Sequence, residues 1–339
     1  MISAFGPGRV NLIGEHTDYN GGLALPFPID RGVTVWAEPQ PGGEIVAEAR
    51  DLGETDAFAA AAPGRAPGWR AFVRGTVAEL QAAGIDVPGA RLAFSGDVPR
   101  GSGLSSSAAL EAALCLALVE LAGAPEPDRV ELALLCSRVE NDWVGAETGL
   151  LDQLASLCGQ AGAALRIDFA TLALEPVRLD LDGWQLVTLD SGAEHSHASG
   201  GYNERRAECR AACEALEIEQ LSDADPGAAA ALPAPLDRRA RHVLSENRRV
   251  DAMVAALRAG DLHAAAELLD ASHASLRDDY AASVPEVEAT VAALKRAGAA
   301  GARMVGGGFG GSVLALLPRG VVVPAGARTV APGPPAALV

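Results

Sequence analysis

One stretch limits the fold more than any other: "RGSGLSSSAALEAALCLALVELAG", Arg100 to Gly123. From Ala108 onward it reads as a helix that is apolar nearly all the way round. Such a helix has no face to give to water, so other elements must enclose it and it belongs at the centre. Its amino end is polar instead, with a glycine-rich turn feeding Ser105, Ser106 and Ser107 into the first helical turn. The free N–H groups of a helix start, with the positive end of the dipole, attract an anion without any basic side chain. Ordinary N-capping needs one serine; three after G-x-G favour a phosphate site, with the hydroxyls free for phosphate oxygens or a metal. The G-x-S-x-G pattern of a serine nucleophile is not matched here.

Around this helix the chain alternates strand and helix signals. Arg31–Pro39 alternates apolar and polar residues as a half-buried strand does, and residues 90–99 read as another. Residues 56–69, rich in Ala, Pro and Gly, are expected to form a loop. Residues 70–84 suit an amphipathic helix ended by Gly84, and residues 128–147 a helix with Asp128 as N-cap. Residues 163–169 and 184–191 read as strands. Helices are expected over 202–216, 237–260, 261–280 and 285–298, followed by "RMVGGGFGGSVLALLP" and a Pro/Gly-rich tail. This is an α+β pattern, and 339 residues allow two domains, placed at 1–180 and 181–339.

A formal charge of −17 excludes nucleic acid as a partner, because that binding rests on Lys and Arg neutralising phosphates. Lys295 is the only lysine, and no glycine run precedes it. That removes both the P-loop and the strand lysine of a protein kinase. Cys115, Cys136, Cys158, Cys209 and Cys213 form no C-x-x-C and read as free thiols in a reducing compartment. No charged-then-apolar leader opens the sequence, and no uncharged run reaches the roughly 18 residues of a membrane span. A cytoplasmic, monomeric protein without membrane contact is expected.

Other stretches hold candidate chemistry. "GPGRVNLIGEHTDYNGG", Gly6 to Gly22, sets Arg9, Glu15, His16 and Asp18 among buried-type Val10, Leu12 and Ile13. Glu140 follows Leu132 and Cys136 at four-residue spacing, which puts a carboxylate on the apolar stripe of its helix. A Mg²⁺ between Ser107 and Glu140 would account for both residues; a stripe-edge Glu140 reaching solvent is the alternative. Asp152 stands among leucines, either paired with Arg9 and able to accept a proton, or capping the next helix. "GGGFGG" (Gly306–Gly311) formally contains G-x-G-x-x-G but leads into a strand, so close backbone approach explains it better than a dinucleotide. His195 and His197 show the one metal-like histidine spacing, without further ligands nearby.

Taken together, "GSGLSSSAA", "GGGFGGS" and "GRVNLIGEHTDYNGG" resemble the GHMP kinase superfamily and, within it, the galactokinase family. "YNERR" and "SHASLRDDY" are similar to that family as well, and the resemblance runs from about Phe5 to Leu317. It implies a two-domain α+β fold, with mixed sheets flanked by helices and the active site between the domains. It implies ATP and Mg²⁺, and galactose phosphorylated at its C1 hydroxyl. Asp152 would be the catalytic carboxylate, oriented by Arg9. Glu15, His16, Thr17, Asp18, Gly149 and Tyr202 would bind the sugar. Gly101, Ser102, Gly103, Leu104, Ser105, Ser106 and Ser107 would cradle the ATP phosphates, with Ser107 and Glu140 at the metal. A kinase for N-acetylgalactosamine or arabinose, or a non-catalytic galactose-binding regulator, are the alternatives. The Pro-rich tail departs from the family's usual last strand and puts that sheet edge in question.

Overall fold

The computed structural model describes residues 1–98, 103–193 and 198–339. Along the chain come β1 (Ile2–Asn11), β2 (Leu23–Ala24), β3 (Pro26–Pro39), β4 (Glu44–Ala49) and β5 (Glu54–Ala59), then α1 (Trp69–Ala82) and β6 (Ala90–Gly96). Helices α2 (Ser106–Leu121), α3 (Arg129–Arg138) and α4 (Leu151–Cys158) follow, and then β7 (Ala163–Asp168), β8 (Ala173–Arg178) and β9 (Trp184–Asp190). The second half holds α5 (Ala198–Leu216), α6 (Pro226–Ala230), α7 (Leu236–Ala259), α8 (Leu262–Asp278) and α9 (Pro285–Arg296). It closes with β10 (Gly301–Met304), β11 (Ser312–Pro318), β12 (Arg328–Val330) and β13 (Ala337–Leu338).

These strands form three sheets, ordered β13-β1-β3-β6-β4-β5, β10-β11-β9-β12 and β2-β7-β8. Helix α2 lies against β1 and β3 of the first sheet and is covered by α1, α3 and α4. Every residue from Ala108 to Val119 is buried, so its all-round apolarity has the enclosure it requires. Each buried Leu there contributes about 2 kcal/mol of transfer free energy. Behind the second sheet, α8 and α9 pack on β10 and β11, and α5, α6 and α8 gather around α7. A third core joins the halves, setting Val10, Ile13 and Phe27 against Val250, Met253 and Leu314.

Four expectations need correction. The segment expected as loop from residue 56 begins inside β5, whose hairpin with β4 extends the first sheet. Ala47, Ala49 and Ala57 hid this hairpin, because alanine carries little strand signal and the sheet context decides. Strand β8 was also unforeseen; its Pro176 is tolerated because β8 is an edge strand. The helix from Asp128 is not uniform: Asp128 accepts from Val130 and Glu131 N–H, but after Arg138 the helix widens into a π turn over Val139–Val144. The tail, finally, supplies two strand edges. β12 pairs with β9, and β13 crosses back to pair with β1 (Ala4 opposite Leu338).

Helix α2 approaches β1 closely because Gly6 has no side chain. A Cβ there would lie 2.0 Å from the Ala109 carbonyl oxygen. Gly6→Ala must therefore push the central helix off the sheet. We expect a loss of about 2–3 kcal/mol in unfolding free energy, read from urea denaturation, whereas an exposed alanine substitution elsewhere stays within about 0.5 kcal/mol.

Candidate active site

A cavity of about 520 Å³ opens where the amino end of α2, the end of β1 with the loop that follows it to Gly22, and the Gly306–Gly311 turn meet. Its wall includes Arg9, Glu15, His16, Asp18, Gly149, Asp152 and Tyr202, together with Gly103 to Ser107. Gly101, Ser102, His195 and His197 lie outside the described residues.

Arg9 sits in β1 next to a register shift between Pro7 and Arg9. Its backbone N–H donates to the Leu104 carbonyl at 3.1 Å, its Nη1 to the Gly103 carbonyl at 2.5 Å, and its Nε to Asp152 Oδ1 at 2.7 Å. One side chain thereby ties the strand, the glycine turn and α4 together. Asp152 lies inside the first turn of α4, where Leu150 is the flanking residue, so it pairs with Arg9 and does not cap. Its other oxygen accepts a hydrogen bond from the Ser105 hydroxyl. Ser105 precedes α2 in the left-handed region at φ 59° and makes no side-chain cap, which leaves the N–H groups of the helix start without that competitor.

Ser107 donates to Glu140 Oε1 at 2.9 Å. Thr148 Oγ1 and Gln153 Nε2 donate to Glu140 Oε2 at 3.0 and 2.7 Å. The π turn carries Glu140 inward, as π turns commonly do at functional sites. Burial, then the Asp152 charge, pushes the Glu140 carboxyl above its usual range against the pull of those three donors. Sequence inspection passed over Glu111, one helical turn beyond Ser107 and fully buried. Its Oε2 lies 3.3 Å from Gln153 Nε2, and burial plus the Glu140 charge drives its carboxyl well upward. The signal was present: Glu111 is the one charged residue from Ala108 to Val119.

The Gly6–Gly22 loop is held from the second half of the chain. Gly14 N–H donates to Glu246 Oε1 at 3.0 Å, Leu23 N–H to Asn247 Oδ1 at 2.9 Å, and His242 Nε2 lies 3.1 Å from the Glu15 carbonyl. Glu15 Oε1 accepts from Gly306 N–H at 2.8 Å and sits 3.2 Å from Nη2 of Arg303. Arg303, fully buried in β10, also donates to the Asn11 and Leu12 carbonyls at 2.8 and 3.0 Å. This arginine, too, was not singled out from sequence, where it reads as the lead-in to a glycine motif. Burial alone would push the Glu246 carboxyl up, but His242, Arg249, Arg303 and the Ser272 hydroxyl together bring it down to about 2.

The loop's own polar residues divide. Thr17 is buried, donates to the Gly14 and Leu23 carbonyls at 2.9 and 2.8 Å, and is not in the cavity wall; its hydroxyl shapes the loop instead of meeting a ligand. His16 adopts φ 62° and its ring is lowered to about 3, mainly by burial, so it is neutral. Asp18 is raised to about 7 by burial, then by the charges of Asp152 and Glu15. It packs on Gly149, where a Cβ would lie 1.8 Å from Asp18 Oδ2. Tyr202, from α5, sets its ring 5.4 Å from that of His16. Lys295 is remote in role, bridging Asp270 and the Ala300 carbonyl.

Comparison with known proteins bears directly on this arrangement. Residues 2–39 match the model of the galactokinase galactose-binding signature, residues 71–160 that of the GHMP kinases N terminal domain, and residues 253–326 that of the GHMP kinases C terminal. The galactokinase of Mycobacterium tuberculosis (strain H37Rv) is 47% identical, covering 94% of this chain and 89% of its own. The chain belongs to the galactokinase family of the GHMP kinases. The galactokinase of Roseiflexus sp. is 42% identical over 93% of the chain and 83% of its own. The structure of Lactococcus lactis galactokinase complexed with galactose superposes with a TM-score of 0.93 at 34% identity, covering 99% of this chain and 94% of that one. Methanococcus jannaschii mevalonate kinase, at 18% identity and a TM-score of 0.70, shares the fold. As a galactokinase the protein is a sugar kinase with ATP as co-substrate, and its two-domain GHMP fold is the one expected from sequence.

Glu246 gives a pH-dependent test of how the loop is anchored. A carboxylate held at about 2 contributes stability that is complete above its unfolded value near 4.5 and is lost as pH falls through 2. Glu246→Gln should cost about 3 kcal/mol at pH 7 and progressively less below pH 4.5, measured by urea denaturation across that range.

Proposed function

We propose that the protein transfers the γ-phosphoryl group of ATP to the C1 hydroxyl of α-D-galactose, with Asp152 as the carboxylate facing that hydroxyl. The observation that carries this is the placement of Asp152 between Arg9 and Ser105, where the glycine turn and the Gly6–Gly22 loop share one cavity wall. Phosphoryl transfer asks mostly for positioning and charge stabilisation, with little covalent work from the protein. Held in place by Arg9, Asp152 orients the hydroxyl and accepts its proton as the O–P bond forms. The guanidinium then balances charge that develops as the γ-phosphoryl moves.

Glu15, through the oxygen not engaged by Gly306, and Asp18, His16, Tyr202 and the Gly149 backbone bind the sugar hydroxyls. Carboxylates suit this task because each accepts several hydrogen bonds in a desolvated pocket. The segment Gly101–Ser107 and the amino end of α2 hold the phosphates, using backbone N–H groups in place of the missing lysine. Ser107 and Glu140 fit Mg²⁺: they offer hard oxygen donors 2.9 Å apart, and the raised proton affinity of Glu140 beside Asp152 marks negative charge that a cation relieves. Bound there, Mg²⁺ would neutralise phosphate charge. The five cysteines are free thiols, which supports a reducing, cytoplasmic setting, and the enzyme is taken to act as a monomer.

ADP release from MgATP, measured with galactose, glucose, N-acetylgalactosamine, arabinose and mevalonate, should be strong with galactose alone. Release with another sugar moves the specificity, and silence with galactose still bound points to a regulator. Asp152→Ala should bind both substrates and lose about a thousandfold in kcat; normal turnover in that variant removes the assigned role. Asp18 adds a pH effect. Sugar hydroxyls donate to its ionised form, so KM for galactose should fall as pH rises through about 7, and Asp18→Asn should flatten that profile.

A further inference from the structure

Behind the sugar wall runs a chain of buried hydroxyl and thiol groups to which the proposed chemistry gives no task. His16 Nδ1 lies 2.7 Å from the Tyr19 hydroxyl, which lies 2.8 Å from the Tyr280 hydroxyl, which lies 3.1 Å from Cys209 Sγ. Tyr280 is fully buried, and its ring also packs on His16 at 4.5 Å and 32°. Asn20 Nδ2 donates to Cys209 Sγ at 3.7 Å and to the His16 carbonyl at 2.7 Å, so the far end of the chain returns to the same residue. His16 Nε2 is buried with no side-chain partner, in a ring that lines the cavity and has the Gly307 backbone beside it.

From this geometry we infer that Tyr280, with Tyr19 and Cys209, is a positioning residue that fixes His16 as the Nε2–H tautomer, a donor at the wall of the galactose site. Three links join four groups. Burial keeps the Cys209 thiol and both tyrosine hydroxyls protonated, supplying one proton per link. One order uses all three protons inside the chain: Cys209 donates to Tyr280, Tyr280 to Tyr19, and Tyr19 to Nδ1. The reverse order would leave the Cys209 proton without an acceptor in the chain. The 2.7 Å separation at Nδ1 also suits an O–H donor better than an N–H donor, whose usual distance is about 2.9–3.0 Å. A neutral imidazole whose Nδ1 accepts carries its single proton on Nε2.

The effect on sugar binding rests on His16 being a galactose ligand; the tautomer does not, and it is read without sugar. Nitrogen-15 NMR of the histidine rings in the galactose-free enzyme, with His16 assigned by its loss in His16→Asn, should show a bare Nδ1 and a protonated Nε2. Tyr280→Phe keeps the ring but breaks the chain, and should give a mixture of tautomers. Its KM for galactose should rise about fivefold, with kcat and KM for ATP within about twofold. Cys209→Ser, which retains a donor, should preserve the wild-type spectrum, and Cys209→Ala should not; this pair decides the matter if Tyr280→Phe folds poorly. A protonated Nδ1 in the wild type, or one tautomer persisting through both Tyr280→Phe and Cys209→Ala, overturns the inference. An unchanged KM beside a shifted tautomer overturns only the link to galactose.

Discussion

Helix α2 cannot expose any side, and most of the architecture follows from enclosing it. The first sheet takes one flank, α1, α3 and α4 take the others, and Gly6 lets β1 approach to backbone contact. A helix enclosed in this way can present only its ends. Its amino end, with the free N–H groups and positive dipole of a helix start, therefore becomes the floor of the cleft, which suits the phosphate site proposed for it. Ser105 and Ser107 then reach Asp152 and Glu140 from the same turn, so helix burial and the placement of the reacting groups have a common cause.

Charge in the cleft is arranged in two classes. Asp152 is paired with Arg9 and Glu15 with Arg303, pairs that tie separate parts of the chain together, while behind them Glu246 pairs with Arg249 one turn along α7. Asp18, Glu111 and Glu140 have no guanidinium partner among the described residues, and all three carboxyls are pushed upward, first by burial. Unpaired buried carboxylates are costly in the empty protein. Two of them stand where sugar hydroxyls and a cation would meet them, so ligand binding offsets a cost that folding leaves in place. Glu111 stands behind, and shares Gln153 with Glu140.

The Gly6–Gly22 loop shows why a motif cannot act alone. His16 holds a left-handed backbone conformation unfavourable to its side chain, and Glu15 is buried; neither would persist in an isolated loop. Glu246, Asn247, His242, Arg303 and Gly306 hold the loop from more than two hundred residues away in sequence. The cavity wall is thus a joint product of both halves, and the layer behind it joins Tyr19 and Asn20 of the first half to Tyr280 and Cys209 of the second.

Sequence alone determined the central helix, most helices of the second half and the family to which the chain belongs. Those features are local: periodicity, spacing and a contiguous motif survive without knowledge of the fold. It could not supply the β4–β5 hairpin, because alanine-rich strands take their identity from the sheet they join. Nor could it separate an Asp152 that caps from one that pairs, or a Thr17 that meets a ligand from one that shapes its loop, since the deciding partners are distant in the chain. Arg303, Glu111 and Tyr280 were left to the tertiary structure for the same reason. A buried polar residue gains its meaning from the group it faces, and only folding decides which group that is.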